Sequence, residues 1–66
     1  MQIKVNGTLQ EHPDGISGRE LLDRIDWTAA TLVAEVNGQI VRRDAFLALE
    51  LHDGDELELV TVVGGG

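Results

Sequence analysis

The sequence contains no cysteine and has few basic or aromatic residues among its 66 positions. Without cysteine, the chain can form no disulfide framework, no thiolate metal site and no cysteine nucleophile. Five basic residues stand against twelve acidic ones, and the net charge of -7 disfavours binding to nucleic acid phosphates. No apolar run approaches the roughly 20 residues of a membrane-spanning helix, and the N-terminus lacks the apolar segment of a signal peptide. We therefore expect a cytoplasmic protein, monomeric on its own, that binds neither nucleic acid nor membrane.

The length of 66 residues is enough for one small domain and too short for a second hydrophobic core. Trp27 and Phe46 are the only aromatic residues, so leucine, isoleucine and valine must fill most of that core. Little structure is left over for an enclosed active site. We expect one domain over residues 1–63, followed by a flexible C-terminal tail over residues 64–66.

Residues 1–12 have the pattern of a β-hairpin. Ile3 and Val5 alternate with polar residues, as in a strand with one buried face. Asn6-Gly7 is a strong signal for a two-residue turn, because both residues tolerate positive φ. We expect the returning strand to place Leu9 on the buried side.

A short helix is predicted next, from about Gly18 to Asp26. Ser17 and Glu20 have the capping-box spacing, in which each side chain bonds the backbone amide of the other. This cap explains Ser17 better than a role as a nucleophile does. Leu21 begins an apolar face that would pack on a sheet, and Glu20 and Arg24 have the spacing of an exposed ion pair.

The second half of the sequence predicts three further strands. Residues 32–36 and 39–41 flank an Asn37-Gly38 turn, and residues 56–63 form the longest alternating strand. An irregular segment or single helical turn is expected over residues 44–49. One helix between two hairpin-like halves can bury both apolar faces if the first and last strands pair in parallel at the centre. The sequence thus predicts an α+β protein with the β-grasp fold, in which one main helix covers a mixed sheet of four to five strands.

Side-chain catalysis and metal binding have weak support in the sequence. His12 and His52 lie beside predicted turns, where a surface role is more frequent than catalysis. The acidic cluster within residues 53–58 lacks the ligand spacing of an EF-hand, and alternate strand residues point to opposite faces. We interpret it as a turn followed by one acidic strand face. The chain itself is expected to have no catalytic residue, no metal site and no bound cofactor.

The last strand predicts a surface for a partner protein. If Leu57 and Leu59 face the helix, the residues that alternate with them share the opposite face. These residues are Glu56, Glu58, Val60 and Val62. We expect the two valines to form a small apolar patch ringed by acids, where a partner docks. The alternative is that the valines only satisfy strand propensity.

Three consecutive glycines, Gly64, Gly65 and Gly66, follow this strand. They bury nothing and have the largest backbone entropy, so they have no packing function. A ribbon without side chains that ends in a carboxylate can enter a channel too narrow for any Cβ atom. The alternative is a cloning scar or a frayed end, although no tag or linker residues precede the glycines.

Four segments together have the pattern of a known family. They are MQIKVNG at residues 1–7, VNGQIV at 36–41, DGDELELV at 53–60 and VGGG at 63–66. In these segments and in length, the chain resembles the ThiS family of sulfur carriers in thiamine biosynthesis, which have a ubiquitin-like β-grasp fold and end in a diglycine. One departure is Arg42, since such carriers commonly place a proline there before an arginine, the position that Arg43 fits. This departure concerns the local turn and not the tail.

The resemblance implies a protein that carries a thiocarboxylate and is not itself an enzyme. An adenylating, E1-like partner would activate the carboxylate of Gly66, with ATP and magnesium bound on that partner. A sulfur donor protein would supply the sulfur, which would then pass to thiazole synthase. Three alternatives stay open: the small subunit of molybdopterin synthase, a β-grasp interaction module whose tail is never activated, and a ubiquitin-like modifier joined to lysines.

Overall fold

The chain folds as a mixed sheet with two helices, and the computed structural model describes residues 1–27 and 31–61. Within these ranges the strands are β1 (Gln2–Val5), β2 (Thr8–Glu11), β3 (Leu32–Val36), β4 (Gln39–Val41) and β5 (Glu56–Thr61). The helices are α1 (Gly18–Arg24) and α2 (Arg43–Ala48). The sheet has the order β2-β1-β5-β3-β4, and β1 and β5 pair in parallel at its centre. The other neighbouring strands are antiparallel. The predicted α+β class and the central parallel pair are confirmed.

The core lies between the two helices and one face of the sheet. Alternate strand residues supply the sheet side of the core: Ile3, Val5, Leu32, Ala34, Leu57 and Leu59. Leu21 and Leu22 of α1 and Phe46 and Leu47 of α2 are buried against them. The period of two in the strands therefore separates a helix-covered face from an outer face.

The predicted capping box begins α1. The amide of Glu20 donates to Ser17 Oγ at 3.1 Å, and the amide of Ser17 donates to Glu20 Oε1 at 3.2 Å. The helix ends at Arg24, slightly earlier than predicted, and Asp26 adopts a φ of 57°. The predicted ion pair between Glu20 and Arg24 is not formed. The Glu20 carboxylate is used in the cap, and Arg24 donates to His12 instead.

Leu9 lies on the outer face, so the prediction that it faces the core was wrong. The two-residue turn pairs Val5 with Thr8, and this register places Leu9 directly opposite Lys4. Cross-strand partners share a face of the sheet, and Lys4 points away from the helices. Leu9 is consequently 60% exposed.

The segment after β4 is helical and not irregular. The Asn37-Gly38 turn joins β3 and β4 as predicted, and α2 then spans Arg43–Ala48. Arg42 precedes this helix with a φ of -62°. That value lies in the narrow range to which proline is restricted, so the turn has a backbone that a proline would also adopt.

Candidate functional site

The outer face of the sheet is the candidate partner surface. Leu57 and Leu59 point into the core with 1% and 3% exposure, which places Glu56, Glu58 and Val60 on the outer face. The predictions for Val62 and for Gly64, Gly65 and Gly66 lie outside the described residues. So does the predicted end of the last strand, which is described as far as Thr61.

An apolar patch on this face extends beyond the last strand. Val60 pairs directly with Val33 of β3, and both side chains are exposed. Ile40 of β4 lies opposite Glu35, diagonal to Val33, and is 76% exposed. Diagonal neighbours on one face are within reach of long side chains. We call Val33, Ile40 and Val60 the outer apolar patch.

The sequence analysis did not predict that Val33 and Ile40 belong to the apolar patch, although the sequence pattern could have identified both. If Leu32 and Ala34 face inward, Val33 must face outward. For Ile40 the two-residue turn at Asn37-Gly38 fixes the register, which pairs it with Glu35. The signal was therefore strand alternation for Val33 and the hairpin register for Ile40, and not the identity of either side chain.

Beside the patch lies a depression of about 240 Å³ with acidic walls. Its charged lining consists of Lys4, Glu35, Glu56 and Glu58. Glu35 and Glu58 are direct cross-strand partners, an arrangement of like charges that is unfavourable in a sheet. Lys4 Nζ lies 3.6 Å from Glu56 Oε1, and both side chains are largely exposed, so this pair stabilises the fold little. The face keeps an excess of negative charge, which fits basic residues on a partner.

The rest of the described structure offers a second pocket of about 260 Å³ on the helix side. Its lining is Arg19, Arg43, Asp44, Leu47 and Ala48, which include no Ser, Cys or His. Among the described residues there is no group of three or more His, Asp or Glu side chains placed to hold a metal ion. Within the same ranges, no helix is long and apolar enough to cross a membrane.

His12 is buried, so the surface role predicted for it was wrong. Arg24 Nε donates to His12 Nδ1 at 3.0 Å, and His12 Nε2 lies 2.7 Å from Gln10 Oε1. A guanidinium can only donate, so Nδ1 accepts and Nε2 carries the proton that it donates to Gln10. The backbone of His12 also exchanges hydrogen bonds with Met1. His12 therefore joins the end of β2 to α1 as a structural residue, while His52 lies on an exposed turn.

This environment predicts a pH-dependent stability. Burial, followed by the Arg24 guanidinium and the Met1 amino group, lowers the pKa of His12 below its ordinary 6.5. As the pH falls, His12 is therefore protonated in the unfolded chain before it is protonated in the folded chain. The contribution of neutral His12 to the stability of the fold is complete above about pH 6.5 and is lost as the pH falls through the pKa of His12 in the folded chain. We expect the free energy of unfolding, measured in denaturant, to decrease as the pH falls below about 6.5.

His12→Gln should flatten this pH dependence, because glutamine keeps an acceptor for Arg24 but does not titrate. The matched control is His52→Gln, which replaces the exposed imidazole and should retain the slope. An unchanged slope in His12→Gln would contradict the assignment.

The fold and the outer face define a class: a small, ubiquitin-like β-grasp protein whose outer sheet face combines exposed apolar and acidic side chains. The sequence model of the ThiS family matches residues 3–66. This match covers nearly the whole chain, and the chain belongs to the ThiS family.

Known proteins that are similar to the chain include two sulfur-carrier relatives and one larger enzyme. The sulfur carrier protein ThiS of Escherichia coli (strain K12) is 33% identical over 66 residues, which cover both chains completely. The crystal structure of the thiamine biosynthesis protein ThiS from Geobacter metallireducens has a TM-score of 0.82 and 32% identity, again over the whole of both chains. A thiazole synthase of Paramagnetospirillum magneticum is 27% identical over 66 residues, which cover all of this chain and 20% of that protein.

Proposed function

We propose that this chain is a sulfur carrier protein of thiamine biosynthesis and not an enzyme. The observation that carries the proposal is the end-to-end match with the E. coli sulfur carrier, together with the same fold in the Geobacter protein. A carrier needs a surface for its partners and a reactive terminus, not catalytic side chains. The outer apolar patch and its acidic border supply such a surface.

The reactive group is the carboxylate of Gly66, preceded by Gly65 and Gly64. A carboxylate is a poor electrophile because its charge is delocalised and no good leaving group is present. One carboxylate oxygen attacks the α-phosphorus of ATP, which releases pyrophosphate and leaves an acyl-adenylate. Hydrosulfide, or sulfur delivered at the same oxidation level, then attacks the acyl carbon and displaces AMP, so the chain ends in a thiocarboxylate. ATP and magnesium bind to the activating partner in this scheme.

The proposed partners are those that membership of the ThiS family implies. An adenylating, E1-like enzyme activates the terminus, a sulfur donor protein loads it, and thiazole synthase consumes the sulfur, with the whole exchange in the cytoplasm. The similarity between this chain and a segment of one thiazole synthase supports a link between the two functions. Positive residues on the partners would match the excess acidic charge of the outer face.

The terminus can be tested by mass spectrometry. The protein is incubated with ATP, a purified candidate adenylating enzyme and a sulfur source, and the mass of the C-terminal peptide is measured. We expect the mass increase of one oxygen-to-sulfur exchange. An unchanged mass would contradict the proposal and favour an interaction module, and higher-mass conjugates would indicate a ubiquitin-like modifier. Transfer to a molybdopterin synthase instead of thiazole synthase would identify the other carrier class.

The outer apolar patch gives a second prediction. Val33→Ser combined with Val60→Ser should weaken binding to the adenylating enzyme about tenfold, because an apolar interface loses its centre. Both side chains are exposed, so thermal stability should change little. Affinity is measured by calorimetry.

Leu9→Ser is the matched control for the patch, since Leu9 is an exposed leucine on the same face but at the far edge, on β2. It should bind as the unmodified chain does. Equal affinity of the double variant and the Leu9 variant would show that the patch is not the docking surface.

A further inference from the structure

Asn6 and Asn37, the asparagines of the two Asn-Gly turns, both form side-chain hydrogen bonds to β5 or to the residue just before it. The amide of Leu59 donates to Asn6 Oδ1 at 2.7 Å, and Asn6 Nδ2 donates to the Leu59 carbonyl at 3.1 Å. The amide of Glu56 donates to Asn37 Oδ1 at 2.9 Å, and Asn37 Nδ2 donates to Asp55 Oδ1 at 3.0 Å. Both asparagines have positive φ, 49° and 50°. The sequence predicts them only as turn residues, yet each also serves as a hydrogen-bonding partner of β5.

Asn6 acts where the backbone pairing between β1 and β5 stops. The paired residues are Lys4 with Glu56 and Val5 with Leu57, and the amide of Asn6 donates to the Leu57 carbonyl at 2.9 Å. The chain then turns away at Gly7, while β3 continues to pair with β5 on the other side as far as Thr61. Without another partner, the amide and carbonyl of Leu59 would be unpaired on the β1 side.

The Asn6 side chain replaces a further residue of β1. A primary amide offers one acceptor and a donor with nearly the geometry of a peptide group, so it can bond both backbone groups of Leu59. These bonds join residues 53 positions apart in the sequence and are partly buried. Among the described residues, they are the last hydrogen bonds on this side of β5 before residues 62–66.

We propose that Asn6 is a positioning residue for activation of the C-terminus. This inference rests on the proposed function, because it concerns how the terminus reaches the partner's site. Val60 is held by its pairing with Val33 of β3, whereas the two bonds of Asn6 hold the other edge of β5 at Leu59, two residues before the last described residue, Thr61. A fixed origin reduces the conformational freedom that the terminus must lose when it reaches the reacting geometry.

The test compares Asn6→Gly with Asn37→Gly. Glycine keeps the positive φ of each turn and removes each pair of side-chain hydrogen bonds. Both variants should lose stability, since each loses contacts near β5. Only Asn6→Gly should lower kcat for adenylation, by about tenfold, because the docked carrier presents its terminus less often in the reacting geometry. Its KM should change less than about twofold, because the outer apolar patch is retained. Asn37→Gly should keep both constants.

Amide hydrogen exchange supplies a readout that does not depend on activity. Exchange at Leu59 should accelerate in Asn6→Gly, whereas exchange at Val60, which pairs with Val33 of β3, should stay slow. Asn6→Asp keeps the size of the side chain and sets a carboxylate oxygen against the Leu59 carbonyl, so kcat should fall there too.

The outcomes separate this proposal from the proposed function. Faster Leu59 exchange with a normal kcat in Asn6→Gly overturns the positioning role alone. Equal losses of kcat in the Asn6 and Asn37 variants also overturn it, because they indicate a merely structural effect. If the unmodified chain is not adenylated by any candidate enzyme, the proposed function fails, and the positioning role fails with it.

Discussion

Gly65→Ala should slow adenylation about 100-fold while leaving thermal stability almost unchanged. The physical reason is steric. In the proposed mechanism, an alanine adds a Cβ next to the residue that reacts, and a partner channel shaped for bare backbone would have no room for it. A displacement of about 1 Å at the reacting group is enough for such a loss. Position 65 lies in a run of glycines without side chains to pack, so the substitution should not change the stability of the folded domain. The rate is measured as pyrophosphate release with a purified adenylating enzyme, and stability is measured as Tm.

Gly54→Ala is a control with the opposite expected effects: a loss of stability and an unchanged adenylation rate. Gly54 has a φ of 89° and nothing within 4 Å of the position that a Cβ would take, so alanine there strains a turn and leaves residues 64–66 of the sequence unchanged. This variant should lose stability and keep its adenylation rate at temperatures well below its Tm. Full activity of Gly65→Ala would contradict the narrow-channel argument.

Gly18→Ala should destabilise the fold by about 3 kcal/mol. Helix propensity alone predicts the opposite sign, because alanine is favoured over glycine in a helix by about 1 kcal/mol. However, a Cβ at position 18 would fall on the carbonyl oxygen of Phe46 and within 2.9 Å of its carbonyl carbon and Cδ2. Gly18 cannot move away cheaply, since its amide donates to the Leu49 carbonyl at 3.0 Å and joins α1 to the end of α2.

The steric clash should outweigh the helix propensity of alanine, because the clashing atoms belong to the backbone and not to the end of a flexible side chain. A loss of about 3 kcal/mol corresponds to a Tm decrease of more than about 10 °C in a domain of this size. Gly38→Ala is the matched comparison: its φ is 85° and nothing lies within 4 Å of the added Cβ, so only backbone strain of about 1–2 kcal/mol is expected. A Tm of Gly18→Ala at or above that of the unmodified chain would mean that propensity outweighs the clash.

The features predicted well from the sequence depend on residues close together in the chain. The capping box of Ser17 and Glu20 needs only one helical turn, and each Asn-Gly turn needs two residues with positive φ. The order of strands and helix then leaves few ways to bury every apolar face, and the parallel pairing of β1 with β5 follows from that order.

The predictions that failed depend on register and on which element covers which residue. Leu9 has the apolar side chain of a core residue, but the register set by the turn places it opposite Lys4 on the outer face. His12 lies beside a turn in the sequence, yet its imidazole is enclosed by α1 through Arg24. In both cases the deciding neighbour is on another element, so no local pattern identifies it.

The amino-acid sequence alone establishes the class of fold, the absence of thiol chemistry and the family, because composition, turn chemistry and the glycine ending can be read from adjacent residues. The folded chain was needed to show that Val33 and Ile40 extend the apolar patch, that Gly18 must lack a side chain, and that Asn6 holds Leu59. Each of these depends on atoms brought together from distant positions, and hydrogen bonds and close contacts act over a few ångströms of space, whatever the separation along the chain.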